Sequence, residues 1–226
     1  MIDRRNILIF DFESSSANKN TCEILSIGSC IINCNNFDIM DSFESLMKPE
    51  DFDALEDEAL AVNGLTKEQL QEAPEAKVTF NTWATWIKKF NTDKKQGTWG
   101  APIPCGYNIS GFDLPILNRY CKKYGYWDDK WNNNTLVNPI FNLDIMQLMW
   151  LFTRTNRNLK NNKLTTVLAY MGVSQNEIDE NAHNALWDVQ QTAKIAIKFL
   201  KAAKNWTSYD KERGRSLLEI KGSLNE

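Results

Sequence analysis

The chain has 226 residues, a net charge of −3, and 42% hydrophobic and 24% charged residues, which is the composition of an ordinary globular protein. No apolar run approaches the ~20 residues that a membrane span needs, and the N-terminus lacks a signal-peptide pattern, so we expect no membrane insertion and a cytoplasmic location. Five cysteines without a Cys-x-x-Cys pair indicate reduced thiols rather than a disulfide framework.

Strands dominate the start of the chain. Ile7 to Phe10 is a continuous apolar run, typical of a strand buried on both faces. Two further predicted strands, residues 23–33 and 38–47, are joined by a turn at 33–36, which makes an opening antiparallel meander. Helices are predicted next: short ones within residues 54–73 around the Asn63-Gly64 turn, and a longer one over residues 75–91.

Strands and helices alternate in the second half. We predict strands at 103–107 and 139–144, and helices at 111–125, 145–152, 163–171 and about 184–204. This order favours an α/β fold in which helices pack on the faces of a sheet. We expect one domain over residues 1–204 and a polar C-terminal tail over residues 205–226.

Charge is unevenly distributed along the chain. Residues 49–75 contain nine acidic residues and one basic residue, whereas residues 145–176 contain no acidic residue. The acid-free stretch carries four positive charges, at Arg154, Arg157, Lys160 and Lys163. A solvated surface explains such a run most simply, and the positioning of phosphates is the functional alternative.

Asp11 and Glu13 follow the first apolar strand. Residues i and i+2 of a strand point to the same side, so both carboxylates project together. A hard divalent cation such as Mg²⁺ or Mn²⁺ would relieve their repulsion. Taken alone, the pair is better explained by a strand that simply ends in solvent.

Three further residues complete a candidate site. Asp113 precedes Pro115 and is either a helix cap or an inward carboxylate in the first turn of a helix. Asp188 lies on the packed stripe of the last helix, where an acid is costly unless it is paired or liganded. His183, the only histidine, lies five residues before Asp188, so it can face the same site only from the start of the helix or from the loop before it. The polar residues Asp179 to Asn181 are predicted to form that loop.

These residues together resemble the motifs of the DEDD 3′→5′ exonucleases, in the histidine subclass of the DnaQ-like, ribonuclease H-like superfamily. Asp11-x-Glu13 is similar to the first motif, Asn108-x-x-x-Phe112-Asp113 to the second, and His183-x-Ala185-x-x-Asp188 to the third. Order and spacing agree over roughly residues 6–203. The tyrosine subclass would have Tyr where Asn184 stands, so the histidine subclass is favoured.

The resemblance implies a central five-stranded mixed sheet flanked by helices and a two-metal-ion mechanism with Mg²⁺, for which Mn²⁺ can substitute. Asp11, Glu13, Asp113 and Asp188 would be the metal ligands, Asp113 through water, and His183 would deprotonate the attacking water. The reaction would remove nucleoside 5′-monophosphates from the 3′ end of single-stranded nucleic acid. DNA is the first expected substrate and RNA the alternative, since the sequence does not decide between them. Substrate contacts are expected from Phe12, Ser14, Ser15, Leu65, Asn108 and Phe112, with Leu65 as an apolar wedge against the last base.

The sequence departs from the family pattern at substrate-contacting positions. Ser14-Ser15-Ser16 lacks the usual glycine, and Tyr107 and Asn63 stand where histidine is common. Three alternatives remain open: a proofreading partner of a polymerase or another replication or repair protein, a non-catalytic nucleic-acid-binding module, and a ribonuclease H-type endonuclease. The complete set of five residues argues against the second, and the histidine spacing argues against the third.

Overall fold

A computed structural model describes residues 4–207, 209–210 and 215–216, with side chains from 4 to 204. The strands are β1 (Ile7–Ser14), β2 (Ile24–Ile32), β3 (Ile39–Leu46), β4 (Ile103–Gly106), β5 (Trp127–Asp128), β6 (Asn133–Asn134), β7 (Leu143–Asp144), β8 (Tyr209–Asp210) and β9 (Arg215–Ser216). The helices are α1 (Asp57–Asn63), α2 (Lys67–Glu72), α3 (Ala76–Lys88), α4 (Asp113–Tyr124), α5 (Ile145–Thr155), α6 (Leu164–Tyr170), α7 (Gln175–Asn181) and α8 (Ala185–Thr207), with a 3₁₀ turn at Thr98–Gly100.

The central sheet has five strands in the order β3-β2-β1-β4-β7. The first three strands pair antiparallel, and β4 and β7 add in parallel to β1. The predicted α/β class, the five-stranded mixed sheet and the opening meander are therefore confirmed. Because β1 is the central strand, its carboxyl end lies between β2 on one side and β4 on the other.

The two faces of the sheet carry different helices. Leu8, Phe10 and Phe12 of β1 pack with α3 and α4, whereas Ile7 and Ile9 pack with α5, α6, α7 and α8. Successive strand residues point to opposite faces, so Asp11 and Glu13 continue the row of Ile7 and Ile9. Both acids therefore face the layer that contains α8.

The predicted strand at 139–144 is wrong in its extent, because only Leu143 and Asp144 are in a strand. The Asn138 side-chain oxygen accepts hydrogen bonds from the backbone N–H groups of Ile140 and Phe141, at 3.1 and 3.0 Å. These N–H groups are held in an Asx turn, and Pro139 has no N–H group to offer to a ladder.

The predicted loop at Asp179 to Asn181 is also wrong, because these residues form the end of α7. Ser174 caps this helix by accepting from the backbone N–H of Glu177, and Ile178 is buried against the α8 layer. A seven-residue helix with one buried residue has too little apolar periodicity to be recognised from sequence.

The long last helix extends three residues beyond its predicted end at Lys204 and reaches Thr207. Of the predicted tail at 205–226, the described residues after α8 are the paired strands β8 and β9. The rest of that prediction lies outside the described residues. Within the described part of the chain, no helix combines the length and apolarity needed to cross a membrane.

Candidate active site

Asp11 and Glu13 lie at the carboxyl end of β1, where the buried apolar run gives way to polar residues. Glu13 is buried and Asp11 is half-buried. Their shared orientation follows from the two-residue period of the strand, as predicted. Two carboxylates are thus fixed by a strand whose preceding residues belong to the core.

Asp113 reaches the same strand from the other layer. It is the first residue of α4, its side chain is buried, and no side-chain cap precedes it. Its Oδ1 accepts a hydrogen bond of 3.1 Å from the backbone N–H of Phe12. Of the two alternatives from sequence, the structure has the inward carboxylate and not the helix cap.

His183 and Asp188 lie at the start of α8. Asn184 caps this helix, since its Oδ1 accepts from the backbone N–H of Trp187 at 2.9 Å. His183 lies in the turn between α7 and α8, with a left-handed φ of 67° and an exposed side chain. Its backbone N–H lies 3.3 Å from Asp188 Oδ2. The placement of His183 just before the helix agrees with the helical geometry that predicted it.

Gly28 allows α8 to approach the sheet, and sequence reasoning missed it. Gly28 is paired with Asp11 across the β1–β2 ladder. A Cβ at this position would lie 2.3 Å from the Ala185 backbone carbon and 2.5 Å from the Leu186 nitrogen. Only glycine allows this contact, which brings the first turn of α8 over the strand pair. In the sequence, a glycine inside an apolar strand was the feature that could have indicated a close backbone contact here.

The three elements bring the acids into one cluster. The carboxylates of Asp11, Glu13 and Asp188 each offer an oxygen, and these oxygens all lie within 4.8 Å of one another. Asp113 adds a fourth carboxylate, because it binds the backbone N–H of Phe12 between Asp11 and Glu13. Its charge raises the pKa of both of these acids. Four of the five predicted catalytic residues are therefore clustered, and His183 is joined to the cluster through its backbone.

The electrostatics of the cluster are those of an anionic site without a counter-charge. Burial, and then repulsion from neighbouring carboxylates, raises the pKa of Glu13 to about 8 and the pKa of Asp11 well above its usual range. Burial raises the pKa of Asp113 and of Asp188 to about 7, against hydrogen bonds that lower them. A divalent cation would reverse these shifts by favouring the ionised forms.

Asp144 is a second residue that sequence reasoning missed. Its carboxylate accepts from the backbone N–H groups of Asn108, Ser110 and Met146 at 3.1 to 3.2 Å. One buried side chain therefore caps α5 and fixes the loop that leads to Asp113. Its position after a short apolar strand and before a helix was the available signal.

The predicted substrate-contacting residues near β1 differ in accessibility. Phe12 is buried and its ring packs against Phe10 and Trp83. Ser15 is buried and its Oγ accepts from the Glu23 backbone N–H at 2.8 Å. Ser14 is half-buried and lines a groove of about 280 Å³. Of these three side chains, that of Ser14 is the most accessible.

The remaining predicted contacts lie on both flanks of β1. Leu65 is half-buried against a small apolar cluster, whereas the exposed Val62 lines the groove beside Ser14. Phe112 is half-buried against the α3–α4 layer. Asn108 is exposed, with a left-handed φ of 62°. Asn108 is thus open to solvent at the loop that Asp144 holds.

Comparison with known proteins agrees with this geometry. The RNase T exonuclease family model matches residues 8–196. The 3′-5′ exoribonuclease 1 of Rattus norvegicus is 24% identical over 227 aligned positions, which cover 96% of this chain and 59% of the rat protein. This chain therefore spans about three-fifths of the length of that relative.

Two solved structures share the fold. The nuclease domain of a 3′-exonuclease described as a DEDDh family member bound to rAMP has a TM-score of 0.60 at 23% identity, covering 88% of this chain and 93% of that domain. A zinc-bound complex of Escherichia coli exonuclease I with single-stranded DNA has a TM-score of 0.67 at 18% identity, covering 89% of this chain and 41% of that one.

Proposed function

Because the chain belongs to the RNase T exonuclease family, as its three motifs predict, we propose that it is a 3′→5′ exonuclease acting on single-stranded nucleic acid. The reaction is hydrolysis of the terminal phosphodiester bond, with release of a nucleoside 5′-monophosphate. The observation that carries the proposal is the convergence of Asp11, Glu13 and Asp188 within 4.8 Å, beside Asp113 and the turn of His183.

The donor set suits a hard divalent cation. Carboxylate oxygens are the ligands that Mg²⁺ and Mn²⁺ prefer, and the cluster has no basic partner among its described hydrogen bonds and ion pairs. Asp11, Glu13 and Asp188 would hold Mg²⁺, with Asp113 contributing through water and a second ion sharing Asp11. Bound ions of this kind stabilise the charge that develops on the attacking and leaving oxygens.

His183 is the proposed general base. Its side chain is exposed beside the cluster, while its backbone N–H is directed to Asp188. The backbone contact holds the turn and leaves the imidazole available to accept a proton from the attacking water. A general base must be able to approach the scissile phosphate. The exposed position of His183 next to the carboxylates permits this approach.

The terminal nucleotide is proposed to contact Ser14 and Asn108 through polar groups, and Leu65 as the apolar wedge. Phe12, Ser15 and Phe112 would contribute through backbone groups or by shaping the pocket, since their side chains are partly or fully buried. DNA is the first proposed substrate and RNA the alternative. The 2′-hydroxyl is the group that would separate the two.

The proposal is tested with matched DNA and RNA oligonucleotides labelled at the 5′ or the 3′ end, incubated with Mg²⁺, Mn²⁺ or EDTA. We expect stepwise shortening from the 3′ end that is absent in EDTA and in the Asp11→Asn variant. Internal cleavage, or shortening that persists in EDTA, would contradict it. Binding without cleavage by the wild-type protein in the presence of Mg²⁺ or Mn²⁺ would leave the non-catalytic module as the function.

One observation favours a second role as the exonuclease partner of a polymerase or another replication protein. A groove of about 360 Å³ lies between α5, α6 and α8, and its lining is apolar except for one lysine: Met149, Phe152, Met171, Ile195, Lys198, Phe199 and Ala202. Exposed apolar surface away from a catalytic centre is typical of a docking face. A Phe199→Lys variant would keep its activity on free oligonucleotides and lose association with such a partner.

A further inference from the structure

The segment between the second and third motifs is positively charged on its exposed surface. Residues 154–163, here named the basic segment, contain Arg154, Arg157, Lys160 and Lys163, all of them exposed. The ion pairs described for this chain join Lys48 to Glu75, Lys67 to Asp57 and Lys123 to Glu50. The four cations of the basic segment therefore have no carboxylate partner among the described ion pairs.

The basic segment is held beside the carboxylate site. The Tyr107 hydroxyl donates a hydrogen bond to the Asn162 carbonyl, and Leu159 is buried under the segment. Tyr107 immediately precedes Asn108, whose backbone is bound by Asp144. Positive charge is thus held at the β4–β7 side of the site by a contact to the residue that directly precedes the second motif.

The opposite side of the site is acidic. Helix α1 is joined to β1 by a 3.0 Å hydrogen bond from Asn63 Nδ2 to the Ser14 carbonyl. Glu56 and Glu58 line the groove beside Ser14, within the stretch 49–75 that carries nine acidic residues. A polyanion that enters the site is therefore repelled on the β2 side and attracted on the β4 side.

Aromatic side chains are exposed next to the cations. Trp150 is 50% exposed, and the Arg154 guanidinium lies 5.4 Å from its ring centroid. Tyr170 is 51% exposed, and its hydroxyl accepts from Asn156 Nδ2 at 2.6 Å. Proteins that bind single strands combine cations along the backbone with aromatic rings on which bases stack.

We infer that the basic segment, together with Trp150, binds the nucleic-acid strand on the 5′ side of the nucleotide in the active site. This inference rests on the proposed function. It adds where the strand lies on the protein surface upstream of the 3′-terminal nucleotide. The cations contact phosphates irrespective of sequence, and Trp150 supplies a stacking surface. The hydrogen bond from Tyr107 to Asn162 holds this path at the site.

The test compares two triple variants with the same change in charge. Arg157→Gln/Lys160→Gln/Lys163→Gln removes the proposed phosphate contacts. Lys89→Gln/Lys94→Gln/Lys95→Gln removes three exposed cations from the segment between α3 and β4. This segment contacts Asn6, just before β1, at the end of that strand opposite the carboxylate site. Thermal unfolding of both variants establishes that they fold.

Binding is measured in EDTA, so that it does not depend on cleavage, by fluorescence anisotropy with labelled dT and rU homopolymers of about 20 nucleotides. We expect the basic-segment variant to bind at least about 10-fold more weakly and its salt slope to fall by about 2, since each lost contact to a single strand removes about 0.7. Trp150→Ala should bind about 5-fold more weakly or worse. The control variant should bind as the wild type does.

Cleavage of a dinucleotide separates this inference from the proposed function. Because the inference assigns the basic segment to the strand beyond the nucleotides at the site, we expect the basic-segment variant to cleave a dinucleotide at the wild-type rate, while its KM for the long strand rises. Equal losses of binding in the two triple variants, or unchanged binding in both, would overturn the inference. Absence of dinucleotide and long-strand cleavage in the wild type would instead overturn the proposed function.

Discussion

The strand side and the helix side of the site are built in different ways. Asp11 and Glu13 stand on β1 on either side of the buried Phe12, and the buried Asp113 binds the Phe12 backbone N–H, so the packing of the core sets the positions of all three acids. His183 stands in a surface turn, with a left-handed backbone and an exposed ring. Three of the four carboxylates proposed to hold metal are thus fixed by the core, whereas Asp188 and the histidine proposed to move a proton depend on how α8 and the turn before it are placed.

Replacing His183 should give the largest effect on activity with the smallest effect on stability. We expect His183→Asn to lower kcat about 10²- to 10⁴-fold, the usual contribution of a general base. Asparagine tolerates the left-handed φ of this turn, so the free energy of unfolding should change by no more than about 0.5 kcal/mol. Single-turnover cleavage and thermal unfolding measure the two quantities, and a near-normal kcat would remove His183 from the mechanism.

Gly28 is the point at which β2 contacts the start of α8, so a side chain at this position should displace the helix side of the site. Gly28→Ala places a Cβ within 2.5 Å of the Ala185 and Leu186 backbones, which must move. Overpacking of this kind costs about 1–3 kcal/mol. Since the displaced turn carries His183 and Asp188, we also expect kcat to fall about 10-fold or more, measured on the same oligonucleotides.

Gly97→Ala is the matched control for Gly28. Gly97 has an ordinary φ of −66°, and a Cβ there approaches the side-chain oxygen of Asp93, which can rotate. This variant should keep the wild-type kcat. If Gly28→Ala is as active as the control, the close approach of α8 does not position the site.

The carboxylate cluster, which joins the two sides, should reveal itself in the pH dependence of stability without metal ions. Burial raises the pKa of Glu13 to about 8 and those of Asp113 and Asp188 to about 7, above the usual range near 4. The folded state then binds more protons than the unfolded state between pH 4 and 8. Stability in EDTA should therefore fall as pH rises through this window, by about 2 kcal/mol or more.

Thermal unfolding from about pH 5 to pH 8, in EDTA and with added Mg²⁺ or Mn²⁺, checks this prediction. Divalent ions should raise the Tm most at pH 8, where the carboxylates would otherwise be ionised without a counter-charge. Asp188→Asn should flatten the EDTA profile. A Tm that does not change with pH or with metal ions would contradict the predicted cluster.

Asp144 should give the smallest of these effects, because it supports the site without facing it. Asp144→Ala leaves three backbone N–H groups without their acceptor, for a loss of about 1–2 kcal/mol. Asp144→Asn retains an acceptor oxygen and should recover most of that stability. Denaturant unfolding of the pair checks the prediction, and equal stability of the Ala variant and the wild type would contradict it.

Local periodicity was sufficient to predict much of the site. The two-residue period of β1 places Asp11 and Glu13 on one side, and the helical stripe of α8 turns Asp188 inward. The offset of five residues between His183 and Asp188 predicted that His183 precedes the helix. Each conclusion follows from the geometry of one element, which is a property of the backbone and does not depend on neighbours.

Only the tertiary structure decided which elements meet. Asp113 binds the Phe12 N–H from 101 residues away, and Gly28 contacts Ala185 although nothing near either residue in the sequence indicates that contact. The roles of Asp144 and of the Tyr107–Asn162 contact are likewise visible only once the loops are packed. The sequence by itself identified the five candidate residues and determined the local orientation of Asp11, Glu13 and Asp188, because these depend on residue type and backbone period. Their convergence was decided by close packing between distant segments, which no local pattern encodes.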